Sequence, residues 1–296
     1  MKRLLFAILS VFFYCAFVIP DAEFGALLEA AKKGNADARL KVGVMYFEGE
    51  GVSKNKEEAA RWLRLAAGQG NAEAQSKLGW MYMYGEGVQK NEAEAFRWTR
   101  SAAEQGNAKA QCNLSLLYED GLGVPVDESQ AMIWLKKSAE QGYVWAQYNL
   151  GLSDTSLFGT DLTQAESEKW LRLAADQLIR LAAEESDPKA MFYLGKLYSM
   201  GRGVARDPAK AKSLWIRAAE HGWVEAQFHV GAMYDNGVII EKNTKEAYFW
   251  FSLAASGGDE VAKLSVGRLA ESLTAADLKA LQQRVREWKP KTKTDR

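Results

Sequence analysis

The chain is poor in the residues that anchor small or metal-dependent folds. Of 296 residues, two are cysteine, two histidine and five proline. Two thiols cannot build a disulfide framework, and two imidazoles make a histidine-rich metal site a poor expectation. No charge of one sign dominates either: 38 Lys and Arg balance 38 Asp and Glu. That argues against nucleic-acid binding by bulk positive charge. Runs of β-branched residues are scarce, whereas the helix formers Ala, Leu, Glu, Lys and Gln abound. Hydrophobic residues make up 48% and aromatics 11%, enough for a core and too much for wholesale disorder.

There is one long apolar run. Lys2 and Arg3 precede Leu4–Ile19, sixteen residues without a charge. A basic start before a short apolar stretch reads as a secretory signal, and the run falls short of the roughly 20 residues a spanning helix needs. Residues 1–20 are therefore expected to be a signal peptide, with an uncleaved N-terminal anchor as the alternative. For a bacterial chain the remainder is then periplasmic or secreted, or anchored in the inner membrane and facing the periplasm. Loss of this segment removes Cys15 and leaves Cys112 alone, which suits an oxidising compartment because no wrong pairing within the chain can occur.

The rest repeats. Glycines recur 36 residues apart at Gly34, Gly70, Gly106 and Gly142, and the phase resumes at Ser186, Gly222 and Gly258. Trp62, Trp98, Trp134 and Trp170 share one phase, joined after the break by Trp250. Each unit reads as two helices. In the second unit Ala74, Leu78, Met81 and Tyr82 form one stripe. Gly79 beside Leu78 leaves room for a neighbouring helix. Gly85-Glu86-Gly87-Val88 supplies two residues that tolerate the left-handed backbone that ends a helix. Asn91 with Glu94 starts the second helix as a capping box, and Asn55/Glu58, Asp127/Gln130, Thr163/Glu166 and Asn243/Glu246 repeat it. Ala95, Trp98, Ala102 and Ala103 form the second stripe. One such hairpin cannot bury its apolar face alone, so stacking is the stable solution.

The run A-x-x-x-L-G-x-x-Y-x-x-G-x-G-V, followed by A-x-x-W-x-x-x-A-A-x-x-G, resembles the Sel1-like repeat, a relative of the tetratricopeptide repeat, from Gly34 to Gly267. The departures are Ser115 in place of a glycine, a fourth unit reading Asp154–Gly159 without the glycine loop, and Gly237-Val-Ile-Ile in the sixth. The resemblance implies an all-α, right-handed α-solenoid of stacked helix-turn-helix repeats, with first helices lining a concave face. It also implies an adaptor or assembly role without a family chemistry. The expected organisation is a capping helix at 21–33, six repeats over 34–257 starting near 34, 70, 106, 142, 186 and 222, a half-repeat and capping helix at 258–288, and a solvated basic tail at 289–296.

The fourth unit is eight residues too long, 44 from Gly142 to Ser186, so its second helix is expected to run over 165–185. Leu178, Ile179 and Leu181 would overhang as a docking or homodimer ridge unless the next repeat shifts to cover them.

No chemistry emerges. The G-x-G-V loops follow helices, not the strand that a dinucleotide cradle needs. Ser53-Lys-Asn-Lys56 lacks the partner motifs of a serine hydrolase. His221 sits at a helix end, and His229 lies on a first helix, eight residues away and off the face of His221. No catalytic residue, cofactor or metal is expected. The surface that remains is the outward side of the first helices. Lys77, Trp80 and Tyr84, with Asn113, Leu116, Trp145, Asn149, Tyr193 and His229, form the candidate partner-binding face. The expected function is a non-enzymatic scaffold of the cell envelope that binds a protein or peptide there. The alternative is a peptidoglycan- or glycan-binding or -processing protein. Nucleic acid is not an expected partner, and a membrane is one only through a retained N-terminal segment.

Overall fold

The computed structural model describes residues 21–153, 162–184 and 186–292. The apolar run 4–19 and most of the unusual fourth loop lie outside them. Among the described residues there are fifteen α-helices, no strand, and no helix long and apolar enough to cross a membrane. The helices fall into two compact units that meet between Ala146 and Gln147.

The first unit holds α1 (Asp21–Lys32), α2 (Ala36–Glu48), α3 (Lys56–Gly68), α4 (Ala72–Tyr84), α5 (Glu92–Glu104), α6 (Ala108–Asp120), α7 (Glu128–Glu140) and the start of α8 (Val144–Leu152). The second holds the rest of α8, α9 (Gln164–Glu184), α10 (Pro188–Met200), α11 (Pro208–Glu220), α12 (Val224–Asn236), α13 (Thr244–Ser256), α14 (Glu260–Ala270) and α15 (Ala275–Glu287).

Local chemistry sets the helix ends. Asn35, Asn71 and Asn107 accept the backbone N–H three residues on, opening α2, α4 and α6. Asn55, Asn91 and Asp127 do the same for α3, α5 and α7. At α9 the box is reciprocal: the Thr163 hydroxyl accepts from Glu166, and the Glu166 carboxylate accepts the Thr163 backbone N–H at 2.9 Å. The first helices α2, α4, α6, α10 and α12 end on a glycine with φ between 69° and 81°, where a side chain would be strained.

No repeat in the first unit has a core of its own. Leu63, Ala66 and Ala67 of α3 and Leu78 and Met81 of α4 are buried as one cluster, closed by Tyr46 and Phe47 from α2 and Trp98 from α5. Helices approach closely because glycine sits between them: a Cβ at Gly79 would stand 3.0 Å from the Thr99 nitrogen, and one at Gly195 2.6 Å from Trp215 Nε1. Side-chain amides add a buried polar seam. Gln105 donates to Gln75 at 2.7 Å and Gln141 to Gln111 at 2.6 Å, while Gln75 and Gln111 donate to the carbonyls of Ala67 and Ala103. The second unit repeats the bond between Gln177 and Gln147, at 2.8 Å.

The second glycine of each loop packs on the second helix of the preceding repeat. Gly87 lies against Lys56 and Gly123 against Glu92, each the first residue of its helix. Gly203 instead lies against Leu171, seven residues into α9. At 1.5 Å per residue that is a slide of about 10 Å. Glu168 clamps the displaced loop, accepting from the Gly203 N–H at 2.9 Å and from Arg202 Nε at 2.8 Å. Burial pushes the Glu168 carboxyl up, but the Gly203 N–H and the Arg202 guanidinium outweigh it and hold it below the ordinary range.

This slide corrects the expected ridge. The helix is long as expected, but the following repeat moves along it and covers the extra turns. Leu178 is wholly buried, Leu181 is half-buried, and Ile179 alone of the three is exposed. In the tail, residues 289–292 are exposed, and Lys291 is tied back to α11. The Lys291 backbone N–H donates to the Glu220 carbonyl at 2.9 Å, its ammonium pairs with the Glu220 carboxylate at 2.9 Å, and His221 Nδ1 lies 2.9 Å from its carbonyl oxygen. Residues up to 292 are thus strapped onto the end of α11, and 293–296 lie outside the described residues.

Candidate functional site

In the first unit the outward sides of α2, α4 and α6 carry a mixed apolar and cationic surface. A cavity of about 250 Å³ opens there, lined by Phe47, Glu48, Leu63, Lys77, Trp80, Met81 and Lys109. Trp80 stands edge-on to Phe47, with ring centroids 5.7 Å apart, and lies 5.0 Å from the tilted ring of Tyr84. Tyr84 is 61% exposed, whereas Trp80 and Lys77 are half-buried. The site is therefore a braced indole, two lysines and the Glu48 carboxylate around a void large enough for a bulky side chain, with the open Tyr84 phenol beside it.

These three residues converge because α4 presents positions 77, 80 and 84 on one side, as the 3.6-residue turn requires. The repeat stack then brings the end of α2 and the start of α6 beside them. Asn113 and Leu116 of α6, and Trp145 of α8, are half-buried on the same unit but do not line the cavity. Phe47, Glu48 and Lys109 do, and the sequence reading missed them. They occupy positions filled by unlike residues in other repeats, so periodicity gave no signal.

In the second unit Tyr193 and His229 are packing residues rather than an open surface. Tyr193 meets Tyr148 and Phe192 edge-on at 5.1 and 5.4 Å, and His229 is wedged 4.2 Å from Trp215 and 5.9 Å from Phe192. Burial, helped by the Lys196 ammonium, pushes the His229 pKa below its ordinary value. Burial likewise pushes the Tyr148 phenol far up, with the Tyr193 ring adding to it. Asn149 is half-buried on the same helix. Tyr193 and His229 are thus half-buried, as Trp80 is, with their rings packed against aromatic neighbours.

No trio of His, Cys, Asp or Glu among the described residues is arranged to hold a metal ion. Cys112 is buried.

The Sel1 repeat model matches residues 36–71, 72–107, 108–143, 146–177, 188–223 and 224–259. No curated protein matches the chain. Among solved structures, a Sel1 repeat protein from Oxalobacter formigenes is 28% identical, with 78% of this chain and 96% of that one covered and a TM-score of 0.56. A protein described as a protective antigen of uropathogenic Escherichia coli, displaying the same repeat fold, is also 28% identical. There 90% of this chain is covered and the TM-score is 0.52; the chain spans only 63% of that relative's length. Sel1 repeats generally mediate protein–protein interactions. With six matched repeats over most of its length, the chain belongs to the Sel1 repeat family.

Proposed function

We propose that the protein is an exported, non-catalytic scaffold that binds a protein segment on the first-helix face of its first unit. The cavity between Phe47 and Trp80 carries this reading. It accepts one bulky apolar side chain, and Lys77 and Lys109 at its rim favour a segment with carboxylates beside that side chain. A largely desolvated anchor in a pocket, ringed by weaker polar contacts, is how small interfaces gain most of their affinity. Export rests on Lys2, Arg3 and the uncharged run after them, and the Escherichia coli relative described as a protective antigen fits it.

Glycan binding is the less supported reading. Sugar stacking needs an open aromatic face, and Trp80 is half-buried between the rings of Phe47 and Tyr84, 5.7 and 5.0 Å away. The test is affinity capture from envelope extract with the wild type and with Trp80→Ala/Lys77→Glu, followed by mass spectrometry. The proposal expects a protein recovered by the wild type and lost in the variant. Equal recovery rejects this surface, and sedimentation with purified peptidoglycan in the absence of any protein favours the glycan reading.

A further inference from the structure

The two ends of the repeat array are complementary in the repeat's own terms. Gly43, Gly79, Gly151, Gly195 and Gly231 each sit under a residue of the second helix that follows: Leu63, Thr99, Leu171, Trp215 and Phe251. α14 carries the same seat at Gly267, yet nothing lies within 4 Å of the place its Cβ would occupy. Three residues before the seat, Ser76, Tyr148 and Phe192 are at most 6% exposed and Leu40 and Phe228 are half-buried, whereas Leu264 of α14 is 76% exposed. Val261, one turn earlier, is 59% exposed.

The seat is empty because α15 does not take it. α15 packs on α13 instead: Arg284 lies 3.7 Å from the Phe249 ring centre and bonds Glu246 at 2.5 Å, and Lys245 pairs with Asp277 at 2.6 Å. A solenoid end ordinarily presents a polar outer face. This one presents a leucine and a vacant glycine.

At the other end α1, the first of the described helices, stands in the register of a second helix. Its Leu27 falls at the register of Leu63, Thr99 and Leu171, and is half-buried. Its Ala26 falls at the register of Trp62, Trp98 and Trp134, each of which packs onto a cluster formed by the preceding second helix and the first helix of its own repeat. Ala26 is exposed. Beside it Glu23 is also exposed, and Arg268 of α14, 58% exposed although paired with Asp235, is opposite to it in charge.

We propose that α14 of one copy receives α1 of a second copy, so that the alternation of first and second helices continues from chain to chain. Such a contact is heterologous: each copy uses a different surface, and association does not close at a dimer. It leaves the Phe47–Trp80 cavity untouched and stands independently of the proposed partner.

Sedimentation velocity of the full chain over a concentration series tests this. Wild type is expected to gain mass beyond a dimer as concentration rises. Leu264→Asp and Ala26→Glu alter exposed sites, so each keeps its helical spectrum while weakening association at least about tenfold. An equimolar mixture of the two forms a dimer and nothing larger, because each contributes the end the other lacks. Ala26→Trp, which restores the repeat's usual residue, tightens association, and adding Leu264→Asp cancels the gain. A wild type that stays monomeric throughout overturns the proposal. So does loss of association in Leu264→Asp with none in Ala26→Glu, the signature of α14 pairing with itself.

Discussion

Replacing Gly203 by alanine probes the slide along α9 that absorbs the long fourth unit. Two costs add. The residue has φ of 68°, where a Cβ costs about 1 kcal/mol. The new Cβ would also stand 2.6 Å from both the carbonyl carbon and the oxygen of Leu171. Backbone atoms cannot rotate away, so the loop must lift by the better part of an ångström. That overpacks the contact by about 1–3 kcal/mol and stretches the 2.9 Å bond from the Gly203 N–H to Glu168. Gly70→Ala is the control: φ is 90°, but nothing lies within 4 Å, so it carries only the first cost. Urea unfolding followed by circular dichroism should place Gly203→Ala about 2–4 kcal/mol below wild type and Gly70→Ala about 1 kcal/mol below. Equal losses in the two variants would refute the close contact and with it the displaced register.

Among the described residues, two occupy left-handed backbone without being glycine: Ile239 at φ 72° and Ser186 at φ 52°. Ile239→Gly should stabilise by about 1 kcal/mol, and Ser186→Gly by less because serine is less strained there, both read as a rise in urea midpoint. His229 is held neutral in the fold, with its pKa below 6.5. The unfolded chain therefore binds a proton first as pH falls, so the contribution is complete above pH 6.5 and lost below it. His229→Phe should remove that part of the acid sensitivity, seen as a flatter melting temperature between about pH 7 and pH 5.5. Glu168 has the opposite origin but the same direction: its depressed carboxyl stabilises at neutral pH, and Glu168→Gln should cost most there and least in acid.

Periodic features were legible in the sequence. The 36-residue phase, the Asn and Asp caps, the close-approach glycines at Gly79 and its equivalents, and the long α9 all follow from spacing and local backbone chemistry. What escaped was contact between repeats. Leu178 reads as overhang because spacing along one helix says nothing about where the next repeat lands, and only the Gly203–Leu171 contact reveals the slide. Tyr193 and His229 share the phase of the outward face, yet Phe192 and Trp215 pack against them and leave them half-buried. The cavity draws Phe47, Glu48 and Lys109 from helices on either side of α4, and aperiodic residues leave no trace in a repeat alignment. The tail reads as solvated from composition alone, while its backbone bond to Glu220 is a tertiary event.

Site-specific photo-crosslinking bears most directly on the proposed binding face. A photoreactive residue at position 84 projects from the first-helix side next to the cavity. One at position 65, where the native leucine is 48% exposed on α3, projects from a second helix of the same unit. An adduct from position 84 that vanishes with Trp80→Ala, and none from position 65, is the expected pattern. Adducts from position 65 alone would place the partner on the second helices and overturn the proposal.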